Sequence, residues 1–332
     1  MKRRTLLAAL AAGWAPFPAA AQGTAKTYRI GFLVQQAGNW LVDPLSTALR
    51  EHGWVIGRNV HLELRLSGPG TADIDALARD LVAKRVDVIV VVGTHMAAAA
   101  KRATVKTPIV MYLSGWPVEG GLVQSYARPG GNITGLSTYG GSDKLFAKFM
   151  GLLRELVPSL KEIVVLWDYV APLFLEKEVE QGVGELKRAA EALNVRSRDF
   201  PVHTQVDFDN ALSVLASAPV QAIFATSGPI NSLPHNLQRL GELATRRRLP
   251  IMCDIAGSTF RSVGLLAYSV SWNEAAARCA SFVDRILRGA NPAELPIEQP
   301  KNFELVLHAG RAKAIGLTIP AAMLIRADRV IE

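Results

Sequence analysis

The chain has few of the residues that build metal centres, disulfide frameworks or covalent active sites. Two of its 332 residues are cysteine and six are histidine. No HExxH, C-x-x-C, GxSxG or P-loop pattern occurs. Cys253 ends an apolar run and Cys279 lies in an alanine-rich segment, so we expect two buried free thiols. These absences argue against an enzyme, and we predict no catalytic residue, no metal site and no cofactor.

The sequence also lacks an apolar run long enough to cross a bilayer. Its first 21 residues nevertheless combine Lys2-Arg3-Arg4, an apolar stretch and Ala19-Ala20-Ala21, which is the pattern of an export signal. We therefore predict a signal peptide over residues 1–21 and a mature protein in the periplasm. The adjacent arginines fit either general secretion or the twin-arginine route.

Positive charge is present but is not concentrated on one segment. The formal net charge of +8 includes the three basic residues of the leader, and the dense basic run is Arg246 to Arg248. Because Leu249-Pro250 follows directly, we interpret these arginines as cations at the negative end of a helix. A nucleic-acid binder usually clusters its basic side chains. A LacI-like regulator would also need an N-terminal helix-turn-helix, so we expect no nucleic-acid partner.

The sequence does contain a repeated strand–helix pattern, clearest from Val86 to Gly115. An unbroken apolar run into Gly93 is typical of a parallel strand covered on both faces by helices. An alanine-rich helix begins near Thr94, and Ile109 to Leu113 is a second buried strand. The pattern resets near Ser137 and then repeats, with strands expected at 163–167, 195–200, 222–226 and 251–253. The prediction is an α/β protein with two doubly wound parallel-sheet lobes.

Several motifs resemble those of ABC-transporter substrate-binding proteins, a family that includes importer components assigned to tryptophan or tyrosine. They are the VDVIVVVGT strand, the segment Arg128-Pro129-Gly130-Gly131-Asn132-Ile133-Thr134-Gly135, and the tail LPIEQPKNFELVLHAGRAKAIGLTIP through IRADRVIE. The likeness runs from about Tyr28 to Glu332. It implies a type I periplasmic-binding-protein fold with three interlobe crossovers. The lobes would be residues 28–136 with 271–298, and residues 137–270 with 299–332.

The resemblance also implies a function and partners. The protein would be a monomer that captures a small-molecule ligand between its lobes and delivers it to an ABC permease in the inner membrane. The same chain could instead present its ligand to a chemoreceptor or a sensor kinase. An α/β enzyme is a third alternative, but it would depend on the isolated His95, which we interpret as a hydrogen-bonded loop residue.

Candidate ligand-binding residues follow the strands, because open α/β sheets bind ligands beyond the carboxyl ends of their strands. They are Gln35, Gln36, Thr94, Ser114 and Trp116 in the first lobe, Asp168, Tyr169, Ser227, Asn231 and Asp254 in the second, and Tyr268 near the last crossover. Amides, hydroxyls and helix amino termini suit a carboxylate, whereas Asp168 or Asp254 suits an ammonium group. The set therefore predicts an amino-acid-like ligand, although a cap or turn role is equally compatible with each residue taken alone.

Trp116 is the exception, because a turn does not need an indole, whereas a ligand can stack on one. Many members of the family have an acid in a GDP triplet where this chain has Gly115-Trp116-Pro117. A less polar or aromatic ligand is therefore an alternative to an amino acid.

Overall fold

The fold was analysed in a computed structural model, which describes residues 26–34, 39–67, 73–139, 144–168 and 176–332. Within these ranges, no helix combines the length and the apolarity needed to span a bilayer. Cys253 and Cys279 are both free and buried, as predicted.

The first sheet is entirely parallel within the described residues. Its strands are β1 (Tyr28–Val34), β2 (Val60–Leu66), β3 (Val88–Val92), β4 (Ile109–Ser114) and β5 (Ile133–Ser137), in the order β2-β1-β3-β4-β5. Strands β3 and β4 are buried almost throughout, which explains why their sequences are apolar without alternation.

Helices cover both faces of this sheet. They are α1 (Asn39–Glu51), α2 (Ile74–Ala83) and α3 (Thr94–Ala103). The α2 helix begins where the Asp73 carboxylate accepts a hydrogen bond of 2.8 Å from the Ala76 N–H, a standard N-cap. On one face, α3 packs its alanines and Met96 against Val91 and Met111.

The second sheet is mixed. Its described strands are β6 (Glu162–Asp168), β7 (Arg196–Val202), β8 (Ala222–Ala225), β9 (Ile251–Cys253), β10 (Leu266–Val270), β11 (Phe303–His308) and β12 (Arg329–Ile331), in the order β12-β11-β10-β9-β8-β6-β7. The pairing of β10 with β11 is antiparallel, a departure from the parallel pattern predicted. The chain leaves the sheet after β10 and returns from the other lobe, so β11 enters in the opposite direction.

The helices of the second half have these bounds: α4 (Lys144–Leu156), α5 (Glu176–Glu191), α6 (Gln205–Ser217), α7 (Pro234–Arg247), α8 (Ser258–Val263), α9 (Trp272–Leu287), α10 (Ala309–Ala314) and α11 (Ala321–Arg326). The α7 helix ends at Arg247, as predicted. The Arg247 guanidinium donates to the carbonyls of Leu215 and Ala218, at 2.7 and 2.9 Å.

The α9 helix belongs to the core of the first sheet, although it follows β10 in the chain. Its residues Ala275, Cys279 and Phe282 are buried in one cluster with Ile30 and Val110. We call the first sheet with α1, α2, α3 and α9 the first lobe, and the second sheet with its remaining helices the second lobe.

Segments that join the lobes run side by side. The Ser137 N–H donates to the Glu298 carbonyl at 2.9 Å, and the Ser271 N–H donates to the Asn302 carbonyl at 3.3 Å. Backbone pairing of this kind holds the connections together while each lobe keeps its own core. The arrangement is suited to a hinge.

Candidate functional site

Four of the predicted residues meet at the carboxyl ends of neighbouring strands in the second lobe. Asp168 is the last residue of β6, Asp254 directly follows β9, and Ser227 and Asn231 lie in the loop after β8. Since β6, β8 and β9 are adjacent in the sheet, the topology places these side chains at one edge.

A hydrogen-bond network fixes Asp168 and Asn231. The Asn231 N–H donates to Asp168 Oδ2, and the Asp168 N–H donates to Thr226 Oγ1 at 2.9 Å. The Asn231 side-chain amide donates to the carbonyls of Leu166 and Thr226, at 3.2 and 3.0 Å. Both N–H groups of the Asn231 amide therefore have acceptors, and the amide oxygen remains available as an acceptor.

Asp254 has a neighbouring donor at each of its two carboxylate oxygens. Its Oδ1 accepts from the Ser227 N–H at 3.0 Å, and its Oδ2 lies 3.5 Å from the hydroxyl of Tyr139. Tyr139 follows β5, so this contact links the second lobe to a crossover segment. Both oxygens of Asp254 thus have a hydrogen-bond donor from the protein.

Three buried oxygens of this cluster have no hydrogen-bond partner within the described ranges. They are Asp168 Oδ1, Ser227 Oγ and Asn231 Oδ1. Asp168 is only 1% exposed and Asn231 is fully buried. Buried polar atoms are nearly always hydrogen-bonded in native proteins. Each of the three could accept a hydrogen bond from a donor placed against it.

Burial also alters the acid–base behaviour of the two carboxyl groups. It raises the pKa of Asp168 to about 7; the N–H groups of Asn231 and Ile230 oppose this shift, and the charge of Asp254 adds to it. Burial raises the pKa of Asp254 to about 6, against the N–H of Ser227 and the hydroxyl of Tyr139. A cation placed between the lobes would favour both ionised forms.

The facing edge of the first lobe carries hydrogen-bond donors. Thr94 is the first residue of α3, and its hydroxyl accepts from the Gly115 N–H at 2.8 Å, so the ends of β3 and β4 are tied together. No side chain caps the start of α3, which follows Gly93 at a φ of 91°. The first N–H groups of a helix favour an anion. Ser114 Oγ, also buried, has no partner among the described residues.

Each lobe packs one side chain into an apolar cluster of the other lobe. Ile230, in the loop that carries Ser227 and Asn231, packs against the first-lobe cluster that contains Met96 of α3. Trp116, which follows β4 of the first lobe, is buried in the second-lobe cluster that contains Phe146 and Trp167. The loop after β4 and the loop after β8 are therefore each packed against the opposite lobe.

The remaining predicted residues are not all at this edge. Tyr268 lines a cavity of about 390 Å³ that Tyr139 and Glu185 also line, and its ring stacks on Phe303 at 5.3 Å. Trp116 is 4% exposed, and its ring stacks on Tyr139 at 4.6 Å. Gln35, Gln36 and Tyr169 lie outside the described residues. The contact of each predicted residue with a ligand stays a prediction.

Sequence reasoning missed Tyr139, Glu185 and Gly228, which help to shape the cleft. Glu185 could have been noticed because it lies on the apolar side of α5, one residue before Leu186 and three after Gly182. An acid on such a stripe needs a partner, and here it is the indole N–H of Trp116. For Gly228 no local signal exists, because its role depends on Asp168, which lies on another strand.

Comparison with known proteins agrees with this architecture. The family model for ABC transporter substrate binding protein matches residues 32–331. A tyrosine-binding protein of Clostridioides difficile (strain R20291) is 24% identical over 276 residues, covering 81% of this chain and 74% of the relative.

Two solved structures share the fold over 92% of this chain and all of their own. One is the ABC domain of a Streptococcus pneumoniae protein in complex with L-Trp, with a TM-score of 0.79 and 22% identity. The other is a conserved domain protein of Vibrio cholerae O1 biovar El Tor, with a TM-score of 0.80 and 23% identity. The predicted fold, two α/β lobes of the type I periplasmic-binding-protein kind, is confirmed. Because the family model spans nearly the whole chain, the protein belongs to the ABC transporter substrate-binding protein family, whose members are binding proteins rather than enzymes.

Proposed function

We propose that this protein is the extracytoplasmic solute-binding component of an ABC importer. It captures a small amino-acid-like or aromatic ligand between its lobes and delivers it to a permease in the inner membrane. The export-signal pattern of residues 1–21 supports a periplasmic location. We further propose lobe bounds near residues 136, 271 and 298, with the paired connecting segments acting as the hinge.

The observation that carries the proposal is the set of three buried acceptors in the second lobe. A protonated amine has three N–H donors, and Asp168 Oδ1, Ser227 Oγ and Asn231 Oδ1 are three oxygens without a partner among the described residues. The negative charge of Asp168 would match the positive charge of the ligand. A charge-assisted hydrogen bond of this kind is stronger than a neutral one.

The opposite edge suits the other end of an amino acid. The first N–H groups of α3 and the hydroxyl of Ser114 are donors, and a helix amino terminus stabilises a carboxylate. A zwitterion would therefore bridge the two lobes, with its ammonium on the second and its carboxylate on the first. Closure of the lobes would complete both sets of hydrogen bonds at once.

The named relatives supply the first probes. One is called a tyrosine-binding protein, and one structure holds L-Trp. We propose calorimetric titration of the mature chain, residues 22–332, with L-tryptophan, L-tyrosine and L-leucine. Indole-3-propionate lacks the ammonium of tryptophan, and tryptamine lacks its carboxylate, so these two analogues test each end separately.

The expected result is that at least one amino acid binds and that removing either charged end weakens binding at least tenfold. Asp168→Asn should abolish the preference for an ammonium while leaving the circular dichroism spectrum unchanged. Equal affinity for the amino acid and for its analogue without an ammonium would contradict the proposal. A failure of all five compounds to bind would remove the aromatic amino acids as ligands.

A further inference from the structure

The loop after β4 places a first-lobe indole inside the second lobe. Trp116 is 4% exposed. Its ring stacks on Tyr139 with centroids 4.6 Å apart and planes at 21°, and it lies nearly parallel to Phe146, at 6.3 Å and 6°. Offset stacking of this geometry is favourable for aromatic rings. The indole is thus packed against one ring from the crossover segment and one from α4, which also stack on each other at 5.7 Å.

The N–H edge of the indole is hydrogen-bonded to an acid of the second lobe. Trp116 Nε1 donates to Glu185 Oε1 at 3.2 Å, and Gln181 Nε2 donates to the same oxygen at 2.7 Å. Glu185 is only 3% exposed. A buried carboxylate is unfavourable unless donors surround it, so this acid makes the pocket selective for a ring that carries an N–H.

A glycine makes room for the far end of the ring. A Cβ added to Gly182 would lie 2.5 Å from Cη2 of Trp116 and 3.2 Å from Cζ2 and Cζ3. Glycine within a helix is unfavourable by about 1 kcal/mol relative to alanine, yet α5 has one at the point of contact. Gly182, Glu185, Tyr139 and Phe146 together define an indole slot.

We propose that Trp116 is an intramolecular latch and that the indole slot is a binding site for indole-like rings which the chain fills with its own side chain. Insertion of Trp116 holds the lobes together without a bound solute, and Ile230 packs in the reverse direction on the other side of the cleft. When the solute enters the cleft, Trp116 already occupies the indole slot of the second lobe. Only the role of the latch in solute binding rests on the proposed function. The tests below need no solute, so they can fail or succeed independently of it.

The first test uses a matched pair of glycines on α5. Gly182→Ala places a methyl group where the indole lies. Gly184→Ala makes the same change two residues later, where the added Cβ meets only Arg188 Nη1, at 3.3 Å. Both changes raise helix propensity equally, so any difference between the variants reports on the slot.

Spin labels at exposed Val105 of the first lobe and Val206 of the second report the distance between the lobes by double electron–electron resonance. Without any solute, Gly182→Ala should shift or broaden the distance distribution, whereas Gly184→Ala should match the parent. Identical distributions in the two variants would overturn the latch.

The second test empties the slot. Trp116→Gly should create an indole-sized cavity, and free indole should then raise the melting temperature of the variant but not that of the parent. Benzothiophene has the same shape with sulfur in place of N–H, so it should bind about tenfold more weakly. Adding Glu185→Leu should remove that preference.

A control separates the latch from the general loss of a tryptophan. Trp54 also donates its indole N–H to a carboxylate, Asp284, at 2.9 Å, but both residues belong to the first lobe. Trp54→Gly should lower the melting temperature and leave the interlobe distance unchanged. If indole does not stabilise folded Trp116→Gly at any soluble concentration, the slot assignment is wrong. If Trp116→Gly fails to fold, the Gly182 pair still decides the question.

Discussion

A Cβ on Gly228 would lie 2.4 Å from the carboxyl carbon of Asp168 and 2.7 Å from its Oδ2. A side-chain Cβ does not make non-bonded contacts this short, so an alanine at position 228 must displace either the loop after β8 or the carboxylate. Gly228 is therefore the residue that lets the loop approach Asp168 closely enough for the Asn231 N–H to donate to it.

Gly228→Ala should lower the affinity for an amino-acid ligand at least tenfold, because it moves Asp168 away from the other acceptors. Calorimetric titration measures this loss. Gly151→Ala is a matched control, because an added Cβ there meets nothing within 4 Å. Unchanged affinity in Gly228→Ala would mean that Asp168 does not contact the ligand.

The stability of the ligand-free protein should decrease as the pH rises from about 4 to about 7. Asp168 has a folded pKa of about 7 and Asp254 one of about 6, each raised by burial, whereas an unfolded Asp ionises near 4. Between these values the folded state binds more protons than the unfolded state, so raising the pH favours unfolding. Above pH 7 the effect is complete.

Urea unfolding at pH 5 and pH 8 measures this dependence. Asp168→Asn should remove much of the dependence of the free energy of unfolding on pH, because the pKa of Asp168 is raised further than that of Asp254. The variant should also be more stable than the parent at pH 8, where the parent holds a buried charge. An equal slope in the parent and in Asp168→Asn would show that this carboxyl group titrates normally.

Thr94 should contribute to stability through its hydroxyl rather than through its methyl group. Its Oγ1 accepts from the Gly115 N–H at 2.8 Å, and Thr94 is 2% exposed. Thr94→Val keeps the shape but leaves the partly buried N–H of Gly115 without this acceptor. The free energy of unfolding should fall by about 1 to 3 kcal/mol, measured by urea denaturation. Thr94→Ser keeps the acceptor and should lose less; equal losses in both variants would point to packing instead.

The sequence was most informative where a strand is buried on both faces. The apolar runs predicted β3, β4 and β9 closely, and the rule that ligands meet strand ends brought Asp168, Asp254 and their neighbours into one set. The first inference depends on the local sequence pattern. The second depends on the topology of an α/β sheet, which allows few alternatives. They hold because parallel strands must end at a common edge.

Contacts between distant segments could not be predicted in the same way. The environment of Trp116 is set by Gly182 and Glu185, which lie 66 and 69 residues further along the chain, so no local pattern relates them. The short helices α8 and α11 were not predicted either, because each has only six residues. Helices of this length are unstable alone and depend on tertiary contacts.

One such contact involves Arg311 at the carboxyl end of α8. Its Nη1 donates to the carbonyls of Phe260 and Gly264, both at 2.6 Å, and Nη2 donates to the Arg261 carbonyl. All three carbonyls lie at the end of the helix, where intrahelical donors run out, and the Phe260 carbonyl also accepts from the Gly264 N–H at 2.9 Å. Burial lowers the pKa of the Arg311 guanidinium, because desolvation disfavours its charged form.

Arg311→Met should therefore destabilise the protein by about 2 kcal/mol, because it removes three hydrogen bonds to carbonyls at the end of α8 while keeping most of the apolar stem. Arg326→Met is the matched control. It breaks an ion pair with Glu155 that lies at the surface, with side chains 48% and 32% exposed, and surface pairs contribute about 1 kcal/mol at most. Urea unfolding of both variants gives the comparison. Equal losses would mean that the hydrogen bonds of Arg311 stabilise α8 no more than a surface charge does.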